Sequence, residues 1–572
     1  MFLQDPIRSI RYTHYKLFDT IGSRKEYELE YFERRERLCT FAVLSMSDGR
    51  KEYIDALQDI LWSICDEYTW CLPPHLNGQS LIPPSTSTSQ EENGKLIKGC
   101  RPHEQQIDLF AAETAFALAE VLDILENKLD LMVVYRCRDE IKKRVFEPYL
   151  QMNSMFEWET YTNNWAAVCA GSIGCAALYL MTDSSMLATV IKKVMGTLEC
   201  FISGYEEDGG CTEGLGYWYY GFGFYTYFAE LLSQRTNGRI QLLNNEKIKQ
   251  IAMFQQKCYL SNNKIISFSD AFLEWNHHSG LLHYLKGIFS DIQIPDSSLA
   301  SDFHFDHCYR WANIIRNLAW TGPDVSCVQE NSSSDYLANC EWFISRKKLE
   351  DCVFAFAAKG GNNNEHHNHN DIGSFIFHVN GDTIIVDPGK GEYTKDYFGP
   401  KRYSYLCNGS QGHCVPIIED EYQAAGTEHY AKIMEVDSSP HKDTLIMEMA
   451  RAYDNKKLDS LLRKFVFDIK EKGCLSIVDE YSFNEIPSRV KERLISFYMP
   501  MLVGEDRINI RTKRASVDIL FDPNCFNVQI LEEVFMTHSG KKSKVFILDL
   551  EFKKMALQMY GEIVIKGRRN ED

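Results

Sequence analysis

Residues 365–413 read EHHNHNDIGSFIFHVNGDTIIVDPGKGEYTKDYFGPKRYSYLCNGSQGH. Asn380-Gly381 stands between two β-prone runs, FIFHV and DTIIV, and an Asn-Gly step in that setting specifies a tight two-residue hairpin. The same texture extends in both directions. Short β-prone runs recur at 354–357, 374–379, 383–386, 444–449, 464–468, 475–478, 517–521, 545–550 and 562–565. Residues 326–572 therefore predict a mostly antiparallel β domain, layered as a β-sandwich.

The quoted stretch also concentrates His366, His367, His369, Asp371, Asp387 and His413. Imidazoles and carboxylates are the usual ligands of Zn²⁺ and similar divalent ions, and nearby histidines and tyrosines can move protons. In a regular strand His367, His369 and Asp371 share one face, with His366, Asn368 and Asn370 on the other. Three polar groups on a buried face need partners: a metal, a substrate, or a solvated edge that removes the need. The Asn380-Gly381 hairpin pairs Asp387 with Ser374, on the face opposite His369. Bringing both to one ion requires a break, for which Ile372-Gly373 is the candidate. Pro388-Gly389 can re-aim the Asp387 carboxylate.

Upstream the period changes. Residues 53–68, 109–129, 131–150, 164–181, 187–205, 222–234 and 247–259 carry apolar side chains at helical spacing, so residues 1–325 predict one α-helical domain. Residues 83–95 are polar and breaker-rich, an exposed loop. No short repeat is evident, although a ring of helical hairpins is compatible with the pattern.

At 572 residues, 44% apolar and 25% charged, the chain resembles an ordinary soluble protein of two or more domains. A net charge of −18 argues against non-specific association with nucleic acid or anionic membranes. It leaves room for a local basic cleft. No apolar run is long enough for a transmembrane helix, and the N-terminus lacks a signal-peptide core, so cytoplasmic action is expected. The 18 cysteines are scattered without a CxxC pair, which predicts reduced buried thiols. Homo-oligomerisation is left open.

The segment HHNHNDIGSFIFHVNGDTIIVDPG resembles the hallmark of the heparinase II/III-like polysaccharide lyases, and NGSQGHCVP resembles their following histidine element. NNWAAVCAGSIGCAAL (163–178) and DGGCTEGLGYWYYGFGF (208–224) resemble their helical-domain motifs. The four motifs appear in the family's order over residues 163–417. The resemblance implies an incomplete (α/α) toroid followed by an antiparallel β-sandwich, with an active site in the cleft between. It implies β-elimination at a bond 4-linked to a uronic acid, in an anionic polysaccharide or oligosaccharide.

By the same resemblance His369, Asp387 and His413 are implied to bind a divalent metal, usually Zn²⁺, in an organising role. His367 is implied as a proton-transfer residue, and Tyr217 as the acid and alternatively the base. The C5 proton of a uronate is weakly acidic because the adjacent carboxylate is already charged. An amide beside that carboxylate stabilises the enolate-like dianion, a role that fits Asn164, with Asn163 as its alternate. Where several family members carry a histidine after this asparagine, the chain has Trp165, which can stack on a sugar or pack.

Further substrate contacts are expected from Glu213, as a positioning group, and from His278, Tyr393, Tyr397 and Arg402. The aromatic block 217–225 is read as packing with two or three sugar platforms, and the glycines at 209, 210, 214, 216, 221 and 223 as a shaped turn. Two rival functions remain at this level. A glycoside hydrolase needs two carboxylates across a cleft, available from Glu206, Glu207, Asp208 and Glu213. A carbohydrate-binding protein with a structural metal needs no catalyst at all.

Overall fold

The computed structural model describes residues 2–76, 106–151, 155–323, 332–470 and 473–570. The loop expected at 83–95 lies outside the described residues.

Helices dominate up to Trp320 and strands follow from Ser333. The principal helices are α1 (Lys25–Ser47), α2 (Lys51–Cys65), α3 (Leu109–Leu125), α4 (Leu131–Ile141), α5 (Asn164–Leu180) and α6 (Ser184–Ser203). They continue with α7 (Leu215–Arg235), α8 (Glu246–Cys258), α9 (Ser279–Ile288) and α10 (Trp311–Trp320). Helix α5 packs between α3, α6 and α7. Among the described residues no helix is long and apolar enough to cross a membrane.

Helix α1 is absent from the hydrophobic pattern because its inner face carries charge. Glu30, Arg34, Arg35 and Arg37 are buried, and Arg35 makes two hydrogen bonds to the buried Glu67, at 2.5 and 2.9 Å. Helix α7 begins seven residues before the predicted start, so Gly216, Gly221 and Gly223 are helical, while Gly209, Gly210 and Gly214 lie in the turns ahead of it, Gly209 and Gly214 at positive φ (73° and 89°). Its small residues permit close approach: a Cβ on Gly171 of α5 would lie 2.8 Å from the Phe224 carbonyl oxygen. Trp218, Tyr219, Phe222, Phe224 and Tyr225 are buried, which leaves Tyr217 and Tyr220 as the partly exposed tyrosines of the block.

The C-terminal half contains three larger antiparallel sheets, of eight, five and four strands. The five-stranded sheet runs in order through β1 (Ser333–Leu337), β2 (Trp342–Leu349), β3 (Cys352–Lys359), β4 (Phe375–Val379) and β5 (Asp382–Ile385). Alternation in β3 and β4 serves two cores. Phe354, Phe356, Phe375 and Phe377 pack into the β core, with Phe356 and Phe375 rings 5.2 and 5.4 Å from Phe465 of the eight-stranded sheet. Trp342, Ile344, Ala355, Ala357 and Ile376 belong to the core of the helices. The sheet is a middle layer, apolar on both faces.

The Asn380-Gly381 hairpin forms as expected, with both residues at positive φ (49° and 93°) and Val379 opposite Asp382. Its register then slips by a bulge: His378 faces Thr383, but Phe377 faces Ile385. The expected pairing of Ser374 with Asp387 therefore does not occur. A second break lies at Gly373 (φ +83°), inside a turn closed by the Ser374 N–H on the Asp371 carbonyl at 2.9 Å. The expected strand through 366–371 is absent; these residues are turns and loop, and His367 itself has φ +58°.

None of the 16 described cysteines is in a disulfide, and all but Cys200 and Cys525 are buried.

Candidate active site

The two halves meet where residues 267–272 lie against the loop after β5. The Ser267 hydroxyl donates to the Asp387 carbonyl at 2.9 Å, and the Lys390 N–H donates to the Ala271 carbonyl at 3.0 Å. Between these contacts sits Asp270, 1% exposed. One carboxylate oxygen accepts from His367 Nδ1 at 2.8 Å and from an Arg402 Nη2 at 3.1 Å. The other accepts from His369 Nε2 at 3.0 Å and from the Tyr397 hydroxyl. Burial alone would raise its pKa, but the Arg402 charge and these donors hold it well below the usual carboxylate range. A carboxylate only accepts, so each histidine presents an N–H to Asp270 and turns its other nitrogen elsewhere.

For His369 the remaining nitrogen is Nδ1, buried and without a hydrogen-bond partner. His413 repeats the arrangement. Its Nε2 donates to the Cys407 carbonyl at 3.0 Å, which leaves Nδ1 3.0 Å from Asp387 Oδ2 without hydrogen-bond geometry. Asp387 Oδ1 accepts from the Gly389 N–H at 2.9 Å, and Asp371 Oδ1 accepts from the buried Lys359 Nζ at 2.7 Å. Asp371 Oδ2 and Asp387 Oδ2 are again partnerless. Ligand atoms of His369, Asp371, Asp387 and His413 thus lie within 4.8 Å of one another, and all four residues are fully buried.

Four converging acceptors with no donor among them is a costly arrangement unless a cation occupies their centre. The outer atom of each ligand is held by a backbone or charged partner, as in metal sites whose ligands are oriented from behind. The donor set fits a divalent ion of the zinc type. It contains the three residues singled out from the sequence, plus Asp371. Burial lowers the His369 pKa; the Asp387 charge raises that of His413 against burial.

On the solvent side of Asp270, His367 stacks on Tyr217 with ring centroids 4.3 Å apart and planes 20° apart. The Tyr217 hydroxyl meets the Tyr393 hydroxyl at 2.8 Å. Burial and the Asp270 charge both push the Tyr217 phenol above its ordinary pKa, so it is a proton donor in this setting. His367 Nε2 is 3.6 Å from Glu213 Oε1. Glu213 in turn accepts from the Asn164 side chain at 2.8 Å and the Asn164 N–H at 3.2 Å. His367, Tyr217, Tyr393, Glu213 and Asn164 therefore form one connected group.

Other expected contacts fall differently. Asn163 caps α5, its side chain accepting from the Trp165 N–H at 3.1 Å. Trp165 is half-buried with its ring 4.8 Å from His75. Tyr397, expected to touch substrate, is 0% exposed, because its hydroxyl is needed inside to bond Asp270. Arg402 likewise directs its guanidinium to Asp270 and to the Asn368 carbonyl at 2.9 Å. His278 is buried among Tyr219, Trp275 and Phe305, with Nδ1 3.2 Å from the Ser301 hydroxyl, so its setting is that of a packed residue and not of a substrate contact.

Asp270 and Lys359 were missed from sequence. The available signal for Asp270 was a lone carboxylate between Phe268 and Phe272, in FSDAF.

Residues 330–485 match the family described as Heparinase II/III-like, C-terminal. No curated protein matches the chain. Among solved structures, heparan sulfate lyase HepC from Pedobacter heparinus superposes with a TM-score of 0.63 at 12% identity, covering 100% of this chain and 84% of that one. A heparinase III structure gives 0.66 at 12% identity, covering 96% and 76%. The Streptomyces coelicolor A3 chondroitin AC lyase in complex with chondroitin sulphate gives 0.53 at 8% identity, covering 97% and 78%. At these identities the likeness is one of fold.

Proposed function

We propose, from the match of residues 330–485 to the family described as Heparinase II/III-like, C-terminal, that the chain is a polysaccharide lyase cleaving bonds to uronic acids by β-elimination. The architecture proposed with it is an incomplete (α/α) toroid followed by a β-sandwich. The substrate is an anionic uronate-containing polysaccharide or oligosaccharide, bound where the halves meet. The observation that carries the reading is the pairing of a histidine whose Nδ1–H is fixed by Asp270 with a protonated tyrosine stacked on its ring.

In this reading Asn164, with one amide N–H on Glu213 and a second to give, neutralises the uronate carboxylate as charge develops. His367 Nε2, bare because Nδ1 holds the proton, takes the C5 proton. Tyr217 donates its proton to the departing O4, and Tyr393 passes its own hydroxyl proton toward Tyr217. Base and acid are stacked neighbours, so both act from one side of the sugar. That favours a uronate whose C5–H and C4–O4 share a face, the glucuronate configuration and not its C5 epimer.

A divalent ion, zinc by its donor set, would be held by His369 Nδ1, His413 Nδ1, Asp387 and Asp371. When bound it supplies positive charge that locks the loop walls of the cleft. His369 transmits that order to Asp270, and Asp270 to His367.

The test is ultraviolet absorbance of the protein with a panel of uronate polysaccharides and oligosaccharides, beside Tyr217→Phe. Conjugated 4,5-unsaturated products, lost by about 10²-fold or more in the variant, support the reading. New reducing ends without absorbance would make the protein a hydrolase, and tight binding without turnover a carbohydrate-binding protein.

A further inference from the structure

Beside the Tyr217–Tyr393 pair three chain segments bring together Lys390, His538 and His307. Lys390 Nζ lies 3.5 Å above the centre of the Phe272 ring and 5.4 Å from that of Tyr393. His538, from the turn joining Phe526–Met536 to Lys542–Phe552, sets its ring 4.5 Å from Tyr393 and 5.7 Å from Phe272. His307, in the segment before α10, has its ring 6.1 Å from His538.

Among the described residues none of the three forms an ion pair with a carboxylate. Asp306, next to His307, is taken by Arg310 at 2.9 Å, and Glu392 by Lys25. His538 Nδ1 is 3.3 Å from the Gly391 carbonyl, an acceptor, which leaves Nε2 open. Lys390 and His538 are half-buried, and the nearest acids, Asp306 and Asp270, are already paired with Arg310 and Arg402, so the three nitrogens can share one added negative charge.

We propose that Lys390, His538 and His307 form an oxyanion subsite, which takes a sulfate or carboxylate substituent of the sugar adjoining the bond broken at Tyr217. The identity of the sugar rests on the lyase reading; the oxyanion site does not. Tyr393 is the shared wall, its ring facing Lys390 and His538 and its hydroxyl on Tyr217. An anion here places the neighbouring sugar against the acid that protonates the leaving oxygen.

Titration follows from the surroundings. Burial brings Lys390 down to about 7 against the charges of Asp270, Cys308 and Asp306, with Arg310 assisting. Burial brings His307 to about 4, with Arg310, Lys390 and Arg24 adding and Asp306 opposing. His538 is held well below its ordinary value by burial, Lys390, His307 and Arg24, against the Gly391 carbonyl. A bound anion favours the charged form of each, so binding takes up protons and weakens as pH rises through about 7.

The experiment is calorimetric titration of the full-length protein with inorganic sulfate and, separately, methyl glucuronide. Each is run at pH 6 and pH 8 in buffers of different ionisation enthalpy. The expected result is one site per chain, tighter at pH 6, with net proton uptake, and weakened at least tenfold in Lys390→Met and in His538→Gln. Sulfate alone binding assigns a sulfated neighbour; glucuronide alone assigns a uronate. No saturable binding of either probe, or binding unchanged in both variants with wild-type melting temperature, overturns the subsite. Neither outcome depends on turnover, so a failed lyase assay leaves this result standing.

Discussion

His367 and Asp270 come from opposite halves of the chain and are joined by a 2.8 Å hydrogen bond from Nδ1 to the carboxylate, with the Asp270 N–H returned to the His367 carbonyl at 3.2 Å. The pair fixes both the ring and the backbone that carries it. Positive φ at His367 (58°) and Ser269 (64°) is the conformational cost of this contact, and such strain persists only where the surroundings over-determine it.

Replacing Asp270 by Asn removes the charge and leaves the amide unable to accept from both histidines. Turnover is expected to fall by about 10²–10⁴-fold with KM within a few-fold, as for loss of a group that orients a general base. Metal affinity should fall by about 10–100-fold, because His369 loses its outer partner. Steady-state kinetics and metal content of the purified variant report the two effects separately. Unchanged kcat with intact metal would remove Asp270 from the mechanism.

Divalent metal should co-purify near one ion per chain. His413→Ala and Asp371→Asn should each lower that ratio and the melting temperature. Chelation of the wild type should produce the same shift, reversed by adding the ion back. Metal retained at full ratio in both variants would show that the four acceptors serve some other cation.

His277 and His278 are both brought down to about 4 by burial. The folded state then binds fewer protons than the unfolded chain between their ordinary value near 6.5 and about 4. Their contribution to stability is complete above pH 6.5 and is lost as pH falls toward 4. The limiting slope is about 1.4 kcal/mol per pH unit for each proton. Melting temperature followed from pH 7 to 4.5 should decline, and His278→Leu should flatten the decline.

Gly171→Ala inserts a methyl 2.8 Å from the Phe224 carbonyl oxygen, a backbone atom that cannot swing aside. The expected loss is about 1–3 kcal/mol by chemical denaturation. Gly196→Ala is the matched control. Nothing lies within 4 Å of its added carbon, so the helix should gain about 0.5–1 kcal/mol.

Much of this was legible from sequence where one physical signal acted alone. Helical period placed α2, α3, α5, α6 and α8 within a few residues, and the Asn-Gly step located the hairpin. It failed where signals conflicted. Buried arginines in α1 broke its apolar stripe, and the aromatic–glycine mixture of α7 looked like a turn because close helix packing is a tertiary fact. The candidate metal ligands His369, Asp387 and His413 do converge, but through a bulge and a positive-φ glycine that no strand alternation reveals. Asp270 was invisible because its importance lies in contacts 97 to 132 residues away. Tyr397 and Arg402 were placed in the right neighbourhood and given the wrong direction, since a residue type does not say which way its side chain faces.

The middle sheet has a consequence for dissecting the protein. Trp342, Ile344, Ala355, Ala357 and Ile376 pass the helical core directly into the strands. A fragment beginning near residue 326 would carry that face naked into water and would lack the carboxylate its histidines turn to. The halves are interlocked rather than hinged, so each is expected to misfold or aggregate when made alone. Exchange of one half with that of a distant relative should succeed only when the seam is transplanted with it.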